Sequence, residues 1–111
     1  MTNYSVGHEA EQAAAEYLLE EGYKIIGLNW KTKYCEIDIV AKKGKRIYLV
    51  EVKSRKTLFQ GSGMDYITRK KLNQMKFAAE MWVSNHKWQG DYQLAAVSIT
   101  AGQIEFVEID H

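Results

Sequence analysis

Apolar residues recur along this chain at two spacings, and the spacing separates predicted helices from predicted strands. Between residue 7 or 8 and residue 21 the spacing is helical, and Gly22 follows as a helix stop signal. A second helical pattern runs from residue 66 to about residue 84. Each pattern leaves one apolar side, so we expect both helices to pack against another layer.

Five shorter segments are rich in β-branched and aromatic residues, which is typical of strands. They comprise residues 23–30, 36–40, 47–53, 93–100 and 103–109. The resulting order, α-β-β-β-α-β-β, predicts an α/β fold in which helices cover a mixed β-sheet. The first three strands are expected to run antiparallel, and the second helix allows the fourth strand to lie parallel to the third.

The second and third strands predict a hairpin around a basic turn that contains glycine. With Lys43 and Gly44 at the tip, the expected pairs are Val40 with Ile47, Asp38 with Leu49, and Glu36 with Glu51. Alternation of side chains along the strands then gives two faces. The polar residues on one face are Glu36, Asp38, Glu51 and Lys53. The apolar residues on the other are Cys35, Ile37, Ile39 and Ala41.

Three carboxylates on one face repel one another unless water or a positive charge screens them. Two carboxylates about 5 Å apart repel by roughly 3 kcal/mol at an effective dielectric constant near 20. A solvated face would need no remedy, and charged alternation on such strands is common. Apolar residues accompany the charges, however, which favours an enclosed site. Lys53 supplies one positive charge there, and Mg²⁺ or Mn²⁺ suits oxygen ligands of this type.

Length and composition limit the class of protein. The chain has 111 residues, 46% hydrophobic and 26% charged, which predicts one globular domain over residues 1–111. Its one cysteine excludes an internal disulfide bond, and no cluster of Cys and His suggests zinc. No apolar run reaches the roughly 20 residues of a membrane span, so we expect a cytoplasmic protein without membrane contact.

Positive charge is concentrated in the middle of the chain. Residues 30–87 carry fourteen basic and five acidic side chains, and the flanking segments are acidic. Arg69, Lys70 and Lys71 fall near the start of the second predicted helix, where the helix dipole disfavours cations. A nucleic-acid backbone would offset that cost, although a solvated face is the alternative. Arg55 and Lys56 belong to a glycine-containing loop at the charged end of the third strand, well placed to contact a substrate. The alternative is that this loop is a mobile connector.

A set of polar residues follows a fixed order along the chain. Glu11, on the first predicted helix, lies on the shoulder of the apolar stripe, where it could reach the sheet or stay in water. Asp38 follows in the second strand, and Glu51-Val52-Lys53 in the third. This order resembles the PD-(D/E)xK nuclease superfamily, whose fold is restriction-endonuclease-like. Further matches are Gly22-Tyr23, Asn29-Trp30, Ser54-Arg55, Gly61, Lys71 and Ala78-Ala79. With these, the chain resembles, more narrowly, the YraN family of predicted endonucleases, and at greater distance the archaeal Holliday junction resolvases.

Two single residues and one three-residue segment depart from that family pattern. Ala10 and Cys35 stand where the family usually has glycine, and Gln93-Leu94-Ala95 stands where it has Arg-Phe-Asp. The positions that the resemblance implies to be catalytic, Glu11, Asp38, Glu51 and Lys53, are unaffected. The departures bear on how a substrate is handled.

The resemblance implies a site as well as a fold. Its catalytic residues would be Glu11, Asp38, Glu51 and Lys53, with Glu36 as an auxiliary carboxylate that binds metal or holds a basic residue. Asp38 and Glu51 would bind Mg²⁺ or Mn²⁺ together with the Val52 carbonyl. Lys53 would orient the attacking water or offset developing charge. Glu11 would join through water or at a second metal ion.

The function implied is a metal-dependent DNA endonuclease that hydrolyses phosphodiester bonds, in its narrower form on branched or damaged DNA. The alternative is a nucleic-acid-binding module that retains the nuclease fold without the reaction. A protein-interaction domain is a third hypothesis. DNA is the expected partner, and symmetric substrates would favour a homodimer, for which the sequence carries no signature.

Overall fold

The chain folds as a five-stranded sheet with a helix on each face. The structure is a computed structural model that describes residues 3–55 and 67–110, with the side chains of residues 8–54 and 67–110. Its elements are α1 (Asn3–Glu20), β1 (Lys24–Lys31), β2 (Glu36–Lys43), β3 (Arg46–Arg55), α2 (Arg69–Asn85), β4 (Asp91–Thr100) and β5 (Gln103–Ile109). The predicted α/β fold class and element order are confirmed. In the described ranges, neither helix has the length and apolar character needed to cross a membrane.

The strands lie in the sheet in chain order, from β1 at one edge to β5 at the other. Pairing is antiparallel between β1 and β2, between β2 and β3, and between β4 and β5. The pair of β3 and β4 is parallel, and α2 lies in the connection that such a pair requires. The expected antiparallel strands and parallel return are therefore both confirmed.

Both faces of the sheet are covered, and the alternation of side chains decides which helix each residue meets. The face covered by α1 has a core of Ala14, Leu18, Ile39, Tyr48, Val50 and Val97. The face covered by α2 has a core of Val40, Ile47, Leu49, Met75, Trp82 and Leu94. Burial on both sides accounts for the continuous apolar runs in β3 and β4.

The two helices begin at positions that differ from the prediction. α1 starts at Asn3, about one turn earlier than residue 7 or 8, because the added turn contains no proline and Gly7 is tolerated within the helix. α2 starts at Arg69, because the Thr68 hydroxyl accepts the N–H of Lys71 at 3.0 Å and caps the first turn. Residue 66, the predicted start, lies outside the described residues. α1 ends as predicted, with Gly22 in the left-handed region at φ 92°.

The β2–β3 hairpin has a register two residues away from the predicted one. Lys43 pairs with Arg46, so the turn consists of Gly44 and Lys45. Gly44 adopts the left-handed φ of 61° that suits so short a turn. Val40 consequently pairs with Leu49, and the predicted pairs Val40 with Ile47, Asp38 with Leu49, and Glu36 with Glu51 are wrong. A shift of two residues nevertheless keeps each β3 side chain on its predicted face.

Candidate functional site

The predicted carboxylates lie where β2 and β3 cease to pair. The last paired residues are Ile39 and Val50. Beyond them the Val52 N–H donates to Asp38 Oδ2 at 2.8 Å. The Asp38 side chain therefore accepts the hydrogen bond that a backbone carbonyl of β2 would accept if the two strands stayed paired. This bond holds the Asp38 side chain against β3. If the register continued by one residue beyond Ile39 and Val50, Asp38 would pair with Glu51.

β1 is irregular at the same level of the sheet. Asn29 has a left-handed φ of 52° and lies opposite the Ile37–Ile39 stretch of β2. Such a conformation is uncommon for residues other than glycine, although asparagine tolerates it better than most. Ile37 and Cys35, predicted to share a face with Ile39, pack instead on the α2 side. The alternation of β2 is thus broken at Asp38, which explains how its side chain turns toward β3.

The carboxyl group of Asp38 is strongly perturbed. Its pKa is raised from 3.8 to about 7, first by burial and then by the charges of Glu51, Glu11 and Glu36, while the hydrogen bond from Val52 lowers it. The three other carboxylates come from β3, α1 and β2, so the fold brings all of them within electrostatic range of Asp38. Burial combined with like charges is common at functional sites.

Glu51 has a positive partner that sequence reasoning missed. Lys71 Nζ, on the first turn of α2, lies 2.9 Å from Glu51 Oε2. The side chains of Lys71 and Glu51 are 35% and 17% exposed, so this pair is the most buried ion pair in the described ranges. Lys71 is a predicted nucleic-acid-binding residue, and the contact also makes it a neighbour of the carboxylates.

Lys53 is half-buried and follows Glu51 on β3. Its partner on β4 is Ser98, whose side chain is almost completely buried and whose hydroxyl has no hydrogen-bond partner in residues 8–54 and 67–110. Over those same residues Lys53 makes no ion pair. Unlike Lys71, it is therefore not neutralised by a carboxylate in the described structure.

The oxygen donors suit a hard divalent cation in type and charge. Asp38, Glu51 and the Val52 carbonyl offer oxygen ligands alone, which Mg²⁺ and Mn²⁺ accept. Like charge contributes to the raised pKa of Asp38, and a cation would offset that contribution. Within the described part of the chain, however, no three His, Cys, Asp or Glu side chains are grouped so as to hold a metal ion. The oxygen ligands of Asp38, Glu51 and Val52 therefore suit a divalent cation in their chemistry, although the carboxylates of the described residues are not grouped around a single ion position.

Glu36 lies at the rim of the site and not opposite Glu51. It pairs with Lys31 of β1, and its Oε2 lies 3.7 Å from Lys31 Nζ. Both side chains are largely exposed, so this ion pair contributes little to stability. The basic residue that Glu36 contacts is thus Lys31.

A cleft of about 880 Å³ opens between α2 and the connection from β1 to β2, and Glu51 lies in its wall. Its basic lining residues are Lys31, Lys33, Arg69, Lys70 and Lys71. Tyr34 and Phe77 also line it and are exposed. Clustered basic side chains are the electrostatic feature of nucleic-acid surfaces.

The wall formed by Lys31, Lys33 and Tyr34 was not predicted. The basic and aromatic character of this short segment is visible in the sequence, but spacing alone does not place it opposite α2. Arg69 and Lys70 were predicted to bind nucleic acid, and both are exposed beside the cleft.

Of the remaining predicted residues, Glu11 is described by the structure, whereas the Arg55 side chain and Lys56 are not. The side chain of Arg55 and the whole of Lys56 lie outside the described residues, as does the rest of the loop that follows β3. Their contacts with nucleic acid stay predictions. Glu11 is half-buried on α1 and is close enough to affect the pKa of Asp38, so it is one of the carboxylates that the fold gathers.

One solved structure with a similar fold is Archaeoglobus fulgidus Hjc, a Holliday junction resolvase from an archaeal hyperthermophile. The match has a TM-score of 0.59 and covers 88% of this chain and 72% of that one. Sequence identity is 19%, so the likeness concerns the fold. It confirms the distant resemblance to archaeal resolvases at that level.

Curated relatives match most of the chain in sequence. UPF0102 protein FN1370 of Fusobacterium nucleatum is 37% identical over 94 residues, which cover 85% of this chain and 78% of that protein. A UPF0102 protein of Thermotoga maritima is 38% identical over 104 residues, covering 90% and 91%. The model of the Uncharacterised protein family UPF0102 matches residues 10–109. The chain therefore belongs to the UPF0102 family, and the predicted YraN resemblance is confirmed.

Proposed function

We propose that this protein is a metal-dependent DNA endonuclease that hydrolyses phosphodiester bonds. The observation that carries the proposal is the 2.8 Å hydrogen bond from the Val52 N–H to Asp38. It fixes a half-buried carboxylate close to Glu51, which lines a basic cleft, and within electrostatic range of Glu11. Metal-dependent phosphodiester hydrolysis commonly uses carboxylates that hold a cation beside a surface that binds phosphates.

Asp38 and Glu51 would hold the divalent cation, together with the carbonyl of Val52. When bound, Mg²⁺ or Mn²⁺ supplies Lewis acidity toward a phosphate oxygen and lowers the pKa of a water molecule. The Val52 N–H orients Asp38 by engaging Oδ2, which leaves Oδ1 available as a ligand. The same short strand segment would thus supply a ligand and hold a second one in place.

Lys53 would donate hydrogen bonds from Nζ to the attacking water or to the phosphate oxygen that gains charge in the transition state. Its ammonium group has no carboxylate partner among the described side chains, which supports this role. Glu11 would act from α1 through a water molecule or at a second cation. Glu36, exposed at the rim and close to Lys31, would have an auxiliary role.

Branched DNA is the substrate class to test first. The solved structure with a similar fold is described as a Holliday junction resolvase. Sequence identity to that protein is 19%, and the proposal of the same substrate class for this chain rests on the shared fold and the basic cleft. Damaged DNA is the second class, and a homodimer would match a substrate with two-fold symmetry.

The test is cleavage of a fluorescently labelled four-way DNA junction, compared with a linear duplex of the same sequence. Cleavage should need Mg²⁺ or Mn²⁺ and stop in EDTA. Asp38→Asn should reduce the rate at least about 100-fold. Asp110→Asn is the matched control, because Asp110 is exposed near the end of the chain. Undiminished cleavage by Asp38→Asn, or none with either metal ion, would exclude this site as a nuclease.

A second candidate function is a nucleic-acid-binding module without catalysis. Lys71 already neutralises Glu51, and residues 8–54 and 67–110 contain no closed metal group, which favours this alternative. It predicts salt-sensitive DNA binding that depends on Arg69 and Lys70 and is indifferent to Asp38→Asn. Metal-dependent turnover that Asp38→Asn abolishes would decide against it.

A further inference from the structure

We infer that Lys71 couples metal binding at the carboxylate site to DNA binding in the cleft. It neutralises Glu51 when no metal ion is bound, and a DNA phosphate draws it away when DNA occupies the cleft. The inference rests on the proposed function, since it concerns the same carboxylates. Its consequence is that DNA and a divalent cation favour each other's binding.

The contact itself is the first support. Lys71 Nζ lies 2.9 Å from Glu51 Oε2, whereas the ion pairs Lys31–Glu36 and Arg46–Glu108 are longer, at 3.7 Å, and more exposed. Solvent and salt screen a partly buried pair less than an exposed one. Glu51 therefore has a strongly held cation beside one of the oxygens proposed to bind metal.

The position of Lys71 on α2 is the second support. Its backbone N–H is fixed by the Thr68 hydroxyl at 3.0 Å, while its long side chain keeps rotational freedom. Arg69 and Lys70 precede it, and the first turn of α2 contains no acidic residue. The helix dipole and these neighbours both oppose a cation at this point. Lys71 is thus stabilised by an anion from elsewhere, and Glu51 is that anion in the described structure.

Lys71 also lines the cleft in which DNA would lie. A phosphate there is a second anion within reach of the same ammonium group, and Arg69 and Lys70 would help to attract it. Lys71 could therefore exchange Glu51 for a phosphate by a change of side-chain rotamer. Its backbone, held by the cap of α2, need not move.

A divalent cation at Glu51 and the ammonium group of Lys71 would repel each other at this short distance. The two therefore compete for Glu51 as long as no other anion receives Lys71. A phosphate that takes Lys71 removes the competition, so DNA increases the affinity for the cation. By thermodynamic reciprocity the cation then increases the affinity for DNA by the same factor.

A purely structural ion pair is the contrasting explanation. In that case Lys71 would only join α2 to β3 and hold Glu51 in a suitable rotamer. Removing its charge would then leave metal affinity unchanged or weaken it. The sign of the change in metal affinity separates the two explanations.

The experiment is calorimetric titration of the full chain with Mg²⁺ alone, at low salt and without DNA. Lys71→Gln should bind Mg²⁺ at least about fivefold more tightly than the unmodified protein. Lys71→Arg should keep the original affinity, because it preserves the charge. Lys45→Gln is the charge-matched control and should differ by less than about twofold, since Lys45 lies in the hairpin turn away from the carboxylates. Circular dichroism checks that each variant is folded.

A second measurement addresses the coupling to DNA. Fluorescence anisotropy of a labelled four-way junction is recorded with and without Ca²⁺ at constant ionic strength. Ca²⁺ should tighten binding by the unmodified protein, and this gain should shrink in Lys71→Gln.

Unchanged or weaker Mg²⁺ affinity in Lys71→Gln would overturn this inference and leave the proposed function standing. No Mg²⁺ binding by either the unmodified protein or Lys71→Gln, together with no metal-dependent cleavage of the four-way junction, would overturn both. The two failures are therefore distinguishable, because only the second includes the loss of cleavage.

Discussion

The Val52 N–H donates to the carboxylate of Asp38 at 2.8 Å, just beyond the last pair of β2 and β3. The bond fixes a carboxyl group whose pKa is raised to about 7, first by burial and then by Glu51, Glu11 and Glu36. A carboxyl group in this environment has a high affinity for a proton. The folding stability of the protein must therefore depend on pH.

In metal-free protein, the contribution of Asp38 to stability should fall as pH rises from about 4 to about 7. Folded Asp38 keeps its proton up to about pH 7, whereas the ordinary pKa of the group is 3.8. The stabilisation is complete below pH 4 and is lost as pH rises through 7, with an upper limit of about 4 kcal/mol. Urea unfolding in EDTA at pH 5 and pH 8 measures the loss.

Two variants serve to assign that pH dependence. Asp38→Asn should reduce the difference in unfolding free energy between pH 5 and pH 8, because the amide does not titrate. Asp110→Asn should preserve the difference, since Asp110 is exposed. If all three proteins lost the same stability, Asp38 would not be the group responsible.

The wall of the cleft formed by Lys31, Lys33 and Tyr34, which was not predicted from the sequence, should contribute to DNA binding. Lys33→Gln should weaken binding at low salt and reduce the slope of log affinity against log salt by about 1, as expected for one lost phosphate contact. Lys24→Gln is the control, since Lys24 is exposed on β1 and is not part of the cleft lining. Anisotropy titrations between about 50 and 200 mM salt measure the slope for each variant. Equal slopes for the two variants would show that this wall of the cleft does not contact DNA.

Most of the fold could be predicted because its elements differ in hydrophobic spacing. The β2–β3 register could not, because Gly44 suits either of two turn positions and only the observed pairing of Lys43 with Arg46 decides between them. The error did not disturb the predicted face of Glu51 and Lys53, since side chains alternate with a period of two and the register moved by two.

The candidate site was less accessible to sequence reasoning than the fold. The proximity of Asp38 and Glu51 could be predicted because the two residues belong to adjacent strands. The break in alternation at Asp38 lies opposite Asn29, whose left-handed backbone belongs to the neighbouring strand, and the pattern within β2 contains no sign of it. The contact of Lys71 with Glu51 depends on how α2 packs against the sheet, which is a tertiary property.

The cap of α2 should matter for both stability and DNA binding. Thr68→Ala removes the acceptor of the Lys71 N–H and should lower the unfolding free energy by about 1 kcal/mol. Fraying of the first turn should also weaken DNA binding, since that turn carries Arg69 and Lys70. Thr68→Ser keeps a hydroxyl and should retain most of both properties. Urea unfolding and anisotropy would contradict the role of the cap if the alanine and serine variants behaved alike.

Ser98 offers a test of the packing beside Lys53. Ser98 is 2% exposed, and its hydroxyl has no hydrogen-bond partner in the described ranges. Since an unsatisfied buried hydroxyl costs about 1–3 kcal/mol, Ser98→Ala should raise the unfolding free energy by about 1 kcal/mol. Ser84→Ala, at an exposed position of α2, should change it by about 0.5 kcal/mol or less. Destabilisation by Ser98→Ala would contradict the prediction and indicate that the hydroxyl is hydrogen-bonded in solution, with Lys53 as the neighbour to examine.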